Sequence, residues 1–130
     1  MVNLLIVSHS AQLAAGVKEF ASQVAGDRIK IAAAGGAADG SLGTSVERIQ
    51  EGFQEVSSPD GVLVLVDLGG AVLSVETAIE DLGIARVQIS DAPLVEGAYL
   101  AAIEATAENA TLEQVAQAAL QARELIKVQL

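Results

Sequence analysis

A single histidine stands in the chain, His9 in Val7-Ser8-His9-Ser10, directly after the apolar run Leu4, Leu5, Ile6 and Val7. That run reads as a buried strand, and Ala11 to Val24 has helical spacing, so His9 falls at a strand-to-helix turn, where open α/β sheets place their chemistry. A neutral imidazole is a nucleophile, and at such a turn it faces the N–H groups of a helix N-terminus, which favour anions. The combination points to a histidine that takes up a phosphoryl group. The alternative is a histidine that caps a helix or satisfies a loop carbonyl.

The stretch Val62-Leu63-Val64-Leu65-Val66-Asp67-Leu68-Gly69-Gly70 has the same form: a buried strand ends in an acid, and two glycines lead into a helix. In a parallel sheet, strands one and three deliver their C-terminal ends to one edge, so Asp67 and His9 can become neighbours. A carboxylate accepting the Nδ1–H of His9 would fix the tautomer, leave Nε2 bare and stabilise the cation formed on phosphorylation. A hydrogen bond to a charged group contributes about 1.5–3 kcal/mol. The competing explanation is that Asp67 caps the third helix.

Gly69 and Gly70 permit close backbone approach, and their N–H groups could hold phosphate oxygens as an anion nest does. Ser74, near the start of the same helix, could add a hydrogen bond or face solvent. The loop Gly35 to Thr44 follows strand two and opens at the same edge. Thr44 and Glu47 have capping-box spacing, a sufficient structural reason for the threonine; alternatively, the small-residue loop lets a partner approach His9. No G-x-x-x-x-G-K-[ST] sequence occurs, so this is not a nucleotide-binding P-loop. With one histidine and no cysteine, no metal site is legible. The candidate site is therefore His9 and Asp67, with Ser10, Thr44, Gly69, Gly70 and Ser74 as phosphate or partner contacts.

The elements that must position these residues alternate. Asn3 to Val7, Ile29 to Ala33, Val62 to Val66 and Val87 to Ile89 are short, branched runs bounded by turn residues, as strands buried on both faces should be. Residues 11–25 place Leu13, Val17, Phe20 and Val24 on one helical face, residues 45–56 place Val46, Ile49, Phe53 and Val56, and residues 71–82 place Val72, Val75, Ala78, Ile79 and Leu82. Ser57 to Gly61 reads as a plain turn.

After the fourth strand, Asp91-Ala92-Pro93 leads into Gly97 to Ala107 and then Thr111 to Lys127, a helix pair broken near Asn109, with Thr111 and Gln114 at capping-box spacing. Leu94 and Val95 are either a contact surface or covered core. Glu76, Glu80, Asp81, Glu104 and Glu108 read as solvated helix faces. The order β-α-β-α-β-α-β-α-α implies an α/β fold: an open sheet of about four mainly parallel strands, joined by right-handed crossovers, with helices on both faces in three layers.

Composition limits the possibilities further. The 130 residues suit one domain, spanning 1–130, and just over half of them are apolar while aromatics are scarce, so the core must be built from Val, Ile, Leu and alanine. The absence of cysteine excludes disulfides and thiolate chemistry. No signal segment and no apolar stretch of about 20 residues is present, which gives the expectation of a soluble cytoplasmic protein without membrane attachment. A net charge of -10, with seven scattered basic residues, argues against nucleic acid as a partner. It would speed encounter with a basic protein, or serve solubility alone.

The residues Val2 to Ser10, Gly43-Thr44, Val64 to Ala78 and Ala92 to Gly97, taken together, closely resemble the phosphotransferase subunits of bacterial dihydroxyacetone kinases, which belong with the mannose-type enzyme IIA domains of the sugar phosphotransferase system (PTS). The resemblance covers nearly the whole chain. It implies a homodimeric phosphocarrier in which the residue matching His9 accepts a phosphoryl group from the phosphohistidine of HPr, supported by the acid matching Asp67. The group then passes to ADP held on the nucleotide-binding kinase subunit, and the ATP so formed phosphorylates dihydroxyacetone held covalently by a third subunit. No cofactor is expected on this chain; ADP and magnesium are expected on the partner.

Sugar-transporting members carry Trp-Gly-Gly-Ser-Pro-Phe-Asn after the aspartate, where Leu68-Gly69-Gly70-Ala71-Val72-Leu73-Ser74 stands here, which favours the kinase subunit. Some kinase subunits continue into HPr-like and enzyme I-like domains that this sequence lacks, so HPr is expected as a separate protein. Two other readings share the phosphorylation step: an enzyme IIA component for sugar uptake, and a regulatory domain that senses phosphotransferase flux.

Overall fold

Leu4, Leu5, Ile6 and Val7 are fully buried because β1 (Asn3–Ser8) lies inside a four-stranded sheet and is covered on both faces. The computed structural model describes residues 1–129. The chain continues through α1 (Ala11–Ala25), β2 (Ile31–Gly35), α2 (Val46–Val56), β3 (Val62–Val66), α3 (Gly69–Leu82), β4 (Val87–Ser90), α4 (Leu94–Ala105) and α5 (Leu112–Leu120), and the short 3-10 turn Gln121–Glu124 follows. The sheet order is β2-β1-β3-β4, and every pairing is parallel. No helix among the described residues is long and apolar enough to cross a membrane.

Alternation along the strands divides the core in two. Leu4, Ile6, Leu63 and Leu65 face α1, α4 and α5, whereas Leu5, Val7, Val62 and Val64 face α2 and α3. On the first face the helices meet through alanines: Ala98, Ala101, Ala102 and Ala105 of α4 and Ala14 and Ala21 of α1 are all 0% exposed. Small side chains let the helix backbones approach closely, and extra methylenes in such a core cost about 1–3 kcal/mol through overpacking.

That packing corrects the expected face of α1. Its buried residues are Ala14, Val17, Ala21 and Ala25, while Leu13 and Phe20 are each 42% exposed. Phe20 instead stacks on Tyr99 of α4, with ring centroids 4.8 Å apart. In α2 the expected Ile49, Phe53 and Val56 are buried; in α3 Val75 and Ala78 are, but Leu82 is exposed.

Element boundaries move where small residues or caps decide them. β2 begins at Ile31, two residues beyond the expected Ile29, because the ladder with β1 pairs Leu4 with Ile31 and ends at Ser8 and Gly35. Gly35 fits beneath the start of α1, where a Cβ would lie 2.5 Å from the Ser10 carbonyl oxygen. α4 begins at Leu94, directly after Pro93, and α5 ends at Leu120 rather than continuing to Lys127. The Thr111/Gln114 capping box is formed, and Asn109 makes the preceding break with φ of 64°.

Candidate active site

β1 and β3 are adjacent in the sheet although α1, β2 and α2 separate them in the chain, so the connections leaving β1 and β3 run to opposite sides. In open α/β sheets the crevice at such a switch point, outside the carboxyl ends of the strands, is the usual ligand site. Val7 and Val66 are the last register partners of the two strands. Their continuation places His9 and Asp67 side by side.

Asp67 engages the β1 terminus through both carboxylate oxygens. Oδ1 lies 2.9 Å from His9 Nδ1 and accepts the Leu68 N–H at 2.7 Å. Oδ2 accepts the His9 N–H at 2.8 Å and the Ser8 hydroxyl at 2.9 Å. Burial works to raise the Asp67 carboxyl, but the bonds from His9, Ser8 and Leu68 outweigh it and hold it below the ordinary aspartate range. An ionised carboxylate only accepts, so the proton between the two rests on Nδ1 and Nε2 carries the free lone pair.

Nε2 faces the opening of α3. A Cβ built on Gly70 would stand 3.2 Å from it, so glycine leaves room there for an incoming atom. The first turn of a helix offers N–H groups without intrahelical partners and the positive end of the helix dipole. The His9 side chain is 33% exposed and that of Asp67 14%, so the nucleophile is accessible while its support is covered.

The β2–α2 loop closes a second side. The Gly36 N–H donates to the Ser8 carbonyl and the Gly43 N–H to the His9 carbonyl. Thr44 does not cap α2 as its spacing with Glu47 suggests. Ser45 occupies that position and accepts the Arg48 N–H, which leaves Thr44 Oγ1 2.7 Å from Ser74 Oγ on α3. Asp67 is likewise not the cap of α3, whose N-cap is Leu68, without a side-chain bond. Ser10 is the N-cap of α1 and accepts the Leu13 N–H.

The structure thus joins His9 directly to Asp67, sets Gly70 against Nε2 and links Thr44 to Ser74; Ser10 holds the start of α1. Sequence reasoning missed Ser8, which is fully buried. Its position beside His9 was visible, but a serine at a strand end has many uses.

No lysine or arginine bonds to His9 or Asp67 among the described residues. Arg48 is engaged by the Gly35 and Ala38 carbonyls, Arg123 by Asp91 and Lys127 by Glu96. Nor does any group of three or more His, Asp or Glu converge to hold a metal among the described residues. Leu42, Leu68 and Leu73, on the segments that frame His9, are 81%, 67% and 71% exposed. A cleft of about 480 Å³ continues from Asp67, Leu68 and Gly69 toward Ser90 and Arg123. Chemically, the arrangement offers one oriented nitrogen nucleophile beside anion-favouring backbone, open to a large partner.

Comparison with known proteins follows the same line. A family model described as PTS system fructose IIA component matches residues 3–116. The phosphoryl donor subunit DhaM of a PEP-dependent dihydroxyacetone kinase from Escherichia coli is 43% identical over 136 residues, covering 100% of this chain and 29% of that protein. Donor subunit DhaM of dihydroxyacetone kinase 2 from Listeria innocua is 36% identical over 107 residues, covering 80% and 86%. The chain therefore spans under a third of the first relative and most of the second. The crystal structure of the unknown function protein EF1359 superposes with a TM-score of 0.77 at 36% identity over 92% of both chains. A phosphotransferase system component EIIA from Streptococcus agalactiae shares the fold, with a TM-score of 0.70 at 17% identity over 98% of this chain and 97% of its own.

Proposed function

The chain belongs to the PTS system fructose IIA component family, and from that premise we propose that it is the phosphoryl donor subunit of a phosphoenolpyruvate-dependent dihydroxyacetone kinase, with His9 as its phosphorylated residue. The observation that carries this reading is the Asp67 Oδ1 contact to Nδ1, 2.9 Å long, which leaves Nε2 bare against Gly70.

In the first step the Nε2 lone pair attacks phosphorus on the phosphohistidine of HPr. The new N–P bond forms as the old one breaks, and that electron pair returns to the donor imidazole. Asp67 holds the Nδ1 proton throughout and balances the charge on the phosphorylated ring. In the second step an oxygen of the β-phosphate of ADP attacks the same phosphorus, the N–P bond breaks back to Nε2, and ATP is formed.

Such transfers depend on in-line alignment and stabilisation of the equatorial oxygens. The N–H groups of Gly69 and Gly70 and the hydroxyls of Thr44 and Ser74 are suited to those oxygens, while Ser10 holds the start of α1. No lysine or arginine among the described residues bonds to His9 or Asp67, so the cations come from the partners, and ADP and its magnesium sit on the acceptor subunit. The exposed leucines around His9 suit serial docking of a donor and an acceptor, in the cytoplasm where both reside.

A homodimer belongs to the same reading. Both outer strands, β2 and β4, have a single partner among the described residues, and Leu125, Ile126 and Val128, beyond the 3-10 turn, stand exposed.

Reconstitution tests the assignment. The chain, enzyme I, HPr, phosphoenolpyruvate and the two other kinase subunits should convert dihydroxyacetone to its phosphate, and omission of the chain should abolish product. Phosphorylation of the chain without product, or transfer instead to a transporter IIB domain, would overturn the acceptor assignment.

A further inference from the structure

Ser8 is the residue of this site that nothing so far assigns. It is 0% exposed, and its hydroxyl lies between two groups of the junction: Asp67 Oδ2 at 2.9 Å and the Ser10 N–H at 3.0 Å. The Ser10 N–H can only donate and the ionised carboxylate can only accept, so the Ser8 proton points at Asp67. The carboxylate consequently has four donors, two on each oxygen: His9 Nδ1–H and Leu68 N–H on Oδ1, His9 N–H and Ser8 O–H on Oδ2. Ser8 is the one side-chain donor among them besides the imidazole itself.

We infer that Ser8 is a positioning residue that sets how strongly Asp67 draws on the Nδ1 proton of His9, and through it how readily the phosphorylated ring gives up its group. The inference rests on the phosphohistidine reading above. Each donor to a carboxylate favours its charged form and lowers its basicity. With Ser8 in place, the shared proton stays on Nδ1 and the phosphorylated ring is a cation. When the N–P bond breaks, the electron pair returns to Nε2 and the ring becomes neutral, which makes it a good leaving group.

Without the Ser8 hydroxyl, Oδ2 keeps one donor and Asp67 becomes more basic. The Nδ1 proton then shifts toward Oδ1. The unphosphorylated ring gains nucleophilicity, while the phosphorylated ring loses positive charge and holds its phosphoryl group longer. Acceptance and release therefore move in opposite directions, whereas simple loss of packing lowers both.

The test is Ser8→Ala in the full chain, with rapid-quench measurement of phosphoryl acceptance from phosphorylated HPr and of return to unphosphorylated HPr. Release should slow about three- to ten-fold, the size of one hydrogen bond, while acceptance holds or rises, so the equilibrium shifts toward the phosphorylated chain. In the unphosphorylated protein the Nδ1–H proton resonance should move downfield. Ser8→Thr should restore both readouts, and in an Asp67→Asn background Ser8→Ala should change neither. If Ser8→Ala does not fold, Ser8→Cys fills the site with a weaker donor and should shift both readouts part of the way in the same direction. Parallel loss of both rates, or an Nδ1–H resonance that stays put or moves upfield, overturns the inference. A wild-type chain that takes no label on His9 overturns the parent reading instead.

Discussion

Asp67 holds His9 by two separate bonds, one from each carboxylate oxygen: Oδ1 to the ring at Nδ1, 2.9 Å away, and Oδ2 to the backbone N–H at 2.8 Å. The first fixes the tautomer and the second fixes where the ring begins, so one acid determines both the direction of Nε2 and its lone pair. Replacing it should therefore harm chemistry more than folding. For Asp67→Asn we predict phosphorylation from HPr slowed roughly 10- to 100-fold, as for loss of a charged hydrogen bond. Circular dichroism should stay native, with Tm down by only a few degrees; unchanged transfer rates would remove Asp67 from the mechanism.

Gly70→Ala separates steric access from stability. Its Cβ would stand 3.2 Å from Nε2, in the space an incoming phosphorus needs, yet alanine favours a helix by up to about 1 kcal/mol over glycine. The variant should melt at or slightly above the wild-type temperature while accepting phosphate at least ~100-fold more slowly. Normal transfer would show that the group does not approach past Gly70.

The hydroxyl pair of Thr44 and Ser74, 2.7 Å apart, joins the β2–α2 loop to α3 beside the site. Thr44→Val or Ser74→Ala should each slow transfer by up to about ten-fold, the worth of one neutral hydrogen bond, and the double variant should do little more than either single one. Additive losses would mean that the two hydroxyls act independently.

The low carboxyl of Asp67 links the site to acid stability. Its folded-state value lies below its unfolded one, so unfolding takes up a proton in the acid range, and the stabilisation is complete above the unfolded value and disappears as pH falls through the folded value. Urea titrations of the wild type and Asp67→Asn should differ most at neutral pH, and the difference should begin to narrow only below about pH 4, the unfolded value, and close below the folded one. A gap that stays constant with pH would mean that the charge of Asp67 contributes nothing.

How much of this was legible in the sequence differs from residue to residue. His9 and Asp67 could be paired because each ends an apolar run, and parallel crossovers deliver alternate strand ends to one crevice. Thr44 could not be read correctly: Thr44 and Ser45 both offer a capping oxygen, and only the loop path shows that Ser45 takes the cap. Ser8 carried no signal, since its use depends on a carboxylate 59 residues away. The face of α1 differs from the hydrophobic pattern because large side chains dominate such patterns, whereas Ala14 and Ala21 form the contact where helices pack closely and Phe20 is left to stack on Tyr99. The strand order itself, with β1 and β3 adjacent, is a tertiary choice that no local pattern encodes.

Whether His9 carries the phosphoryl group, and on which ring nitrogen, is decided by the position of the label. After incubation with enzyme I, HPr and phosphoenolpyruvate, phosphorus and nitrogen NMR of the chain should show an acid-labile, alkali-stable phosphoramidate at Nε2 of His9 and nothing in His9→Ala. Label retained by His9→Ala would remove His9 as the phosphorylated residue, and a phosphoryl group on Nδ1 would rule out Nε2 as the nucleophile.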